Sequence, residues 1–230
     1  MEYGLLGRSI LDGWGLKYKH NDKKRLDQCL EAICLSISFP NYELFYKFRQ
    51  SKSADQESEW VVLLIDVKVL WELDCAFCQQ NAASNAVRDI KLDERKKPEA
   101  LKGMFEDFQD IKRSDLQIPE YFPTNPQAEV LVFREIPIEY INKIHFWNET
   151  VKENWRSKFT GPYSSDKYIV SQEYFEYRRD SDVWKKKKFN DNNIIPSYFS
   201  SDNDDYFLNS ESESDGSLDN SDNVEDDIPF

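Results

Sequence analysis

Hydrophobic positions fall into short, strongly apolar runs separated by polar stretches, a spacing that predicts brief strands and helices rather than a long-helix bundle. Residues 32–39 (A-I-C-L-S-I-S-F) predict a strand closed by Pro40-Asn41, and residues 42–49 predict a short helix with Leu44, Phe45 and Phe48 on one face. Residues 60–65 (W-V-V-L-L-I) are apolar on both faces, which predicts a central strand. A helical turn over 67–72 and a strand over 75–78 follow. Between Val87 and Pro126 the chain is polar and loop-rich, with one helix expected near 98–108. Residues 128–133 (A-E-V-L-V-F) predict another strand, 137–141 a turn of helix, 143–147 a short strand and 148–158 a helix. Strands separated by irregular loops point to an α+β fold rather than regular βαβ winding.

Charge divides the chain unevenly. The formal net charge is −13, yet residues 190–230 hold 12 Asp and Glu and no Lys or Arg, leaving 30 basic against 31 acidic residues before them. A near-neutral domain over 1–189 followed by a disordered acidic tail over 190–230 is the expectation. No apolar run approaches the ~20 residues of a membrane helix, and the N-terminus lacks the layout of a secretion signal. A cytoplasmic protein with no membrane contact is expected. Cys75 and Cys78 have zinc-ligand spacing, and Cys29 and Cys34 would complete a four-thiolate set. Both pairs lie beside apolar runs, so buried free thiols without a metal are the plainer reading.

Other chemistry is sparse. The two histidines, His20 and His145, build neither a His-rich metal site nor a serine triad, and the seven glycines form no phosphate-binding fingerprint. Glu129 stands out as a carboxylate at the start of an apolar strand. Such a group either needs a partner or a function, or lies at an edge facing solvent, and the residues alone leave both open.

Four segments in order resemble the DarT family of DNA ADP-ribosyltransferases. They are Arg25-Leu26-Asp27; Ser36-Ile37-Ser38-Phe39-Pro40-Asn41-Tyr42; Phe77 with Asn81-Ala82-Ala83-Ser84; and Pro126-Gln127-Ala128-Glu129-Val130-Leu131-Val132 followed by Ile136-Pro137. With Gly4-Leu5-Leu6-Gly7-Arg8, which is similar to the family's first turn, they cover about residues 4–150. The resemblance implies an ADP-ribosyltransferase fold of two packed mixed sheets with peripheral helices. It implies a toxin of a toxin–antitoxin system that moves ADP-ribose from NAD to a base of single-stranded DNA, releasing nicotinamide. NAD is then a substrate, no metal is needed, and the partners are single-stranded DNA and a macrodomain-type antitoxin.

By the same resemblance Glu129 is the catalytic carboxylate. Arg25 is a second catalytic and NAD-binding residue, a bidentate clamp on pyrophosphate or target base, and Gly7 lies at the NAD site. Arg25 also reads as an arginine paired to Asp22 or Asp27, and Arg49 is the next arginine candidate. The loop over 87–127 would choose the target, offering Arg88, Lys91, Arg95, Lys96, Lys97, Lys102, Lys112 and Arg113 to phosphates and Phe105, Phe108, Tyr121 and Phe122 to unstacked bases. Family members usually begin with a strand bearing His and Thr before that first turn. Here only three residues precede it, so the first strand is expected to be missing, and an inactive relative that keeps only nucleic-acid or antitoxin binding is the alternative reading.

Overall fold

The computed structural model describes residues 4–18, 25–50, 60–158 and 165–194. Eight short strands form three small sheets: β1 Leu5–Leu6, β2 Ala32–Leu35, β3 Val61–Ile65, β4 Cys75–Cys78, β5 Glu129–Phe133, β6 Glu135–Ile136, β7 Ile141–Phe146 and β8 Tyr168–Val170. The first sheet has the order β2-β5-β4, antiparallel throughout. The second has the order β3-β7-β8, with β3 antiparallel and β8 parallel to β7, and is therefore mixed. β1 and β6 make a two-stranded ribbon that pairs Leu5 with Ile136.

The centre of the first sheet follows from one apolar strand. Along β5, Val130, Leu131 and Val132 are fully buried, and a strand turns successive side chains to opposite faces. Val130 and Val132 pack with Val69, Phe77, Met104 and Ile136 on one side. Leu131 and Phe133 pack with Ala32, Ala76, Cys78 and Ala82 on the other. Complete burial of each such side chain is worth about 1.5–3 kcal/mol relative to exposure. Two-sided burial explains why the strand reads as continuous apolar sequence. A third cluster, of Ile141, Ile144, Phe146 and Val151, fixes the helix Glu149–Lys158 onto one face of the second sheet.

Several sequence expectations shift in detail. The run 60–65, expected to be central, is the edge strand β3, and Leu64 on it is 41% exposed. Its outer face borders a cavity rather than a further layer, which is why two-sided apolarity misled. The polar stretch 87–126 holds three whole short helices, Leu92–Arg95, Pro98–Gly103 and Arg113–Leu116, instead of one. β8 and the helix Ser181–Ile194 carried no recognised signal. Compact units divide the chain at residues 183 and 184; the described part of the second is the helix as far as Ile194. The remaining acidic tail, 195–230, lies outside the described residues, as does His20.

Gly7 owes its identity to packing. Its N–H donates to the Arg134 carbonyl at 2.7 Å, and a Cβ built on it would lie 2.2 Å from the backbone oxygen of Glu31. Gly4, at φ +76°, needs the left-handed conformation as well as the space beside Ile136. Gly7 thus lets the first turn lie against the segment that enters β2, and Gly4 lets it lie against the backbone of Ile136 to Ile138. Gly7→Ala is expected to lower stability by about 1–3 kcal/mol through overpacking, read as a lower urea midpoint at unchanged slope. An unaltered midpoint would mean that the turn moves freely away from Glu31.

Candidate active site

Glu129 opens β5, and the pairing of β4 with β5 sets it opposite Cys78. The chain leaves β4 through Asn81-Ala82-Ala83 and turns back over this position. The Asn81 side-chain oxygen accepts the Ala83 N–H at 2.8 Å, a local turn typical of Asn. That turn aims the Ala82 N–H at one Glu129 oxygen, at 2.9 Å, and the Asn81 amide at the other, at 3.4 Å. Glu129 is only 9% exposed. Burial pushes its carboxyl up to about 7; the Ala82 N–H works against the rise, the nearby Asp27 carboxylate adds to it, and Arg25 opposes it.

Residues 25–29 supply the other side of the site. Arg25 and Gln28 both adopt left-handed backbone, at φ 44° and 60°, and such strain in non-glycine residues gathers at functional places. The Arg25 guanidinium grips Asp27 with two nitrogens, at 3.0 and 2.9 Å, and also donates to the Cys29 and Ala32 carbonyls. Asp27 in turn accepts the Cys29 N–H at 3.1 Å. Arg25 is therefore a brace that shapes the approach to β2, and its charge is felt at Glu129. Of the two carboxylate partners suggested by sequence, Asp27 is held, and Asp22 lies outside the described residues. Gly7 belongs to the neighbouring turn through the Glu31 contact described above. Arg49 lies elsewhere, donating to the Phe175 carbonyl at 2.6 Å and stacking over Phe45, Trp147 and Phe175.

The loop leading into Glu129 is held by two guanidiniums, one from within it and one from later in the chain. Arg113 donates to the carbonyls of Pro119, Glu120 and Phe122 and to the Thr124 hydroxyl. Arg178, 3% exposed, donates to the carbonyls of Pro123 and Thr124 and is paired to Asp180 at 2.6 Å. Arg113 is thus a fastener of the loop rather than a phosphate contact. Arg95 is buried, with one guanidinium nitrogen 3.8 Å from the Cys78 sulfur. Lys96 pairs with Asp74 and Lys97 with Glu94. Lys91, Lys102 and Lys112 are exposed, and of the four aromatic residues only Tyr121, at 66%, is largely exposed.

Sequence reasoning offered Asp27 only as a partner for Arg25 and gave no role to the Ala82 N–H or to the Arg178–Asp180 pair. The Asn-Ala-Ala turn directly after a strand was the available signal for the Ala82 N–H. Cys75 and Cys78, three positions apart on one strand, fall in different core clusters and so on opposite faces. Among the described residues no group of three or more His, Cys, Asp or Glu is arranged to hold a metal ion. No described helix is long and apolar enough to cross a membrane.

A desolvated carboxylate thus opens a buried strand of a mixed α+β domain, fixed by a backbone N–H and within reach of the charge of a braced arginine. The family described as ssDNA thymidine ADP-ribosyltransferase, DarT, matches residues 35–176. The chain belongs to this family. Solved structures similar to it include Thermosipho africanus DarTG in complex with ADP-ribose, at TM-score 0.49 and 13% identity, covering 74% of this chain and 46% of that one. Thermus sp. 2.9 DarT is similar in complex with NAD+ (TM-score 0.44, 9% identity) and with ADP-ribosylated ssDNA (0.48, 14%), each covering 75% of this chain and 87% of the other. The chain thus spans less than half of the Thermosipho africanus chain. No curated protein sequence matches.

The Glu129 environment has a pH signature. Its carboxyl is raised from 4.5 to about 7 in the folded protein, so the folded state is favoured below pH 4.5 and that stability is lost as pH rises through 7. The loss is on the order of 3 kcal/mol. Glu129→Gln cannot ionise and should remove this part of the decline, measured as unfolding free energy from pH 4 to 8. Parallel curves for the two proteins would show that Glu129 is not desolvated.

Proposed function

We propose that the chain transfers ADP-ribose from NAD to the thymidine base of single-stranded DNA, with Glu129 as the catalytic carboxylate. The observation that carries this reading is the burial of Glu129 under the Asn81-Ala82 turn, on a segment that belongs to the family match. A group-transfer carboxylate must be rigid and tuned, and both properties are present.

The reaction breaks the bond between C1′ of the ribose and the nicotinamide nitrogen, and the electron pair leaves with nicotinamide. Positive charge then grows on the ribose, as in glycoside hydrolysis. An ionised Glu129 accepts a hydrogen bond from the ribose 2′-hydroxyl and opposes that charge in a site of low polarity. The thymine base attacks C1′, a new glycosidic bond forms, and the base proton passes to Glu129 or to water. A carboxyl that titrates near 7 is matched to receiving that proton. Arg25, already bound to Asp27, supports the reading by fixing the backbone that faces Glu129; a direct grip on pyrophosphate is the further role we assign to it.

The pinned loop from Arg113 to Thr124 supports a target-reading role, with Tyr121 presented as an exposed aromatic face. We assign the protein to the cytoplasm, where NAD and DNA are at hand, and to a toxin–antitoxin pair in which a macrodomain-type antitoxin neutralises it.

Glu129→Ala should reduce transfer of labelled NAD onto a thymidine-containing oligonucleotide by about 10²–10³-fold, and wild-type transfer should rise with pH through about 7. Near-normal transfer by a folded Glu129→Ala protein would sink the assignment, while DNA binding with no transfer by the wild type would favour an inactive relative.

Arg25→Lys keeps the charge and loses the two-pronged fork, so the KM for NAD should rise and the denaturation midpoint fall, with Arg25→Ala worse on both counts. Folded variants with unchanged NAD kinetics would confine Arg25 to bracing the turn.

A further inference from the structure

Thr124 is gripped through every polar group it has. Its N–H donates to the Met104 carbonyl at 2.9 Å, its hydroxyl accepts an Arg113 nitrogen at 3.1 Å, and its carbonyl accepts an Arg178 nitrogen at 2.7 Å. The residue is wholly buried, and Met104 belongs to the core cluster of Val130 and Val132. Thr124 is thus a fixed point on the chain a short way before Glu129.

Little slack remains between the two. The Asn125 side-chain oxygen accepts the Gln127 N–H at 2.9 Å, and the Asn125 carbonyl accepts the Ala128 N–H at 3.1 Å. Pro126 has a ring-fixed φ. Gln127 donates to Glu43, on the helix Tyr42–Gln50, at 2.5 Å, and Ala128 is buried. A close-packed path of this kind transmits a displacement rather than absorbing it, so where Thr124 stands decides where Glu129 stands.

Of the two guanidiniums on Thr124, Arg113 belongs to the loop itself, whereas Arg178 ties it to a later part of the chain. Arg178 forks onto Asp180, with Nε at 2.7 Å from one oxygen and Nη2 at 2.6 Å from the other. Its Nη1 and Nη2 also take the Pro123 and Thr124 carbonyls. Neither side chain of the pair is more than 2% exposed. Desolvation offsets much of the attraction in a buried pair, so stability alone explains it poorly. The family match ends at residue 176, just before it. We infer that Arg178 and Asp180 are positioning residues for transfer, holding the Glu129 carboxylate in place through Thr124, an inference that rests on the proposed function.

The Ala82 N–H, bonded to Glu129 at 2.9 Å, reports the carboxylate's position without NAD or DNA. The test uses the full chain and the double variant Arg178→Met/Asp180→Leu, which removes both charges together and leaves no lone buried ion. Its kcat for transfer onto a thymidine-containing oligonucleotide should fall about 10–100-fold, with the KM for NAD changed by less than about twofold. Hydrogen exchange at the Ala82 amide, followed by NMR, should quicken about tenfold more than at Leu131 and Val132. Arg178→Lys keeps the paired charge but loses the planar fork; it should fall between wild type and double variant on both readouts, and it carries the test if the double variant does not fold. Wild-type kcat in a folded variant, or Ala82 exchange that quickens only in step with Leu131 and Val132, would overturn the positioning role. If Ala82 loosens selectively but the wild type transfers nothing to DNA, the pair still positions Glu129 and the proposed function fails.

Discussion

The burial of one carboxylate governs much of this structure. Glu129 begins a strand whose next three residues are wholly enclosed, so its side chain is drawn out of water by the packing of Val130, Leu131 and Val132. That withdrawal is tolerated because β4 ends opposite it and the Asn81 turn offers an N–H in compensation. The apolar strand, the register of β4 and β5 and the Asn-Ala-Ala turn are therefore parts of one solution. Disturbing any of them changes both the stability of the sheet and the ionisation of Glu129.

Around that centre, the arginines act mainly on backbone. Arg25 holds two carbonyls and Asp27; Arg113 and Arg178 hold five carbonyls between Pro119 and Thr124. A planar guanidinium with donors in a fixed fork suits this better than an ammonium group. Residues that look like an electrostatic surface in sequence thus become internal fasteners, whereas Lys91, Lys102 and Lys112 stay exposed.

The legible parts of the fold were those with dense apolar sequence. β2, β4, β5, the helix Tyr42–Gln50 and the helix Glu149–Lys158 were expected near their observed positions. Glu129 was conspicuous because a carboxylate in such a strand is costly, although only the family resemblance favoured function over an exposed edge. What could not be read was non-local. The edge position of β3 depends on β7 and β8, the latter more than 100 residues away in sequence. Arg178 meets the loop 54 and 55 positions earlier, and no periodicity encodes such a pairing. His145 looked inert because two histidines build neither a metal site nor a triad, whereas the fold carries it to a cavity shared with β2.

Fastening a loop by its carbonyls also separates shape from identity. Every residue contributes a carbonyl, so the path of residues 119–124 is largely independent of which side chains those positions carry. Substitutions at Tyr121, whose side chain points outward while its carbonyl accepts the Ser38 hydroxyl at 2.7 Å, leave the scaffold intact. Related chains that keep Arg113, Arg178 and Asp180 are free to exchange the outward residues, so new recognition preferences can arise by single changes without first rebuilding the loop.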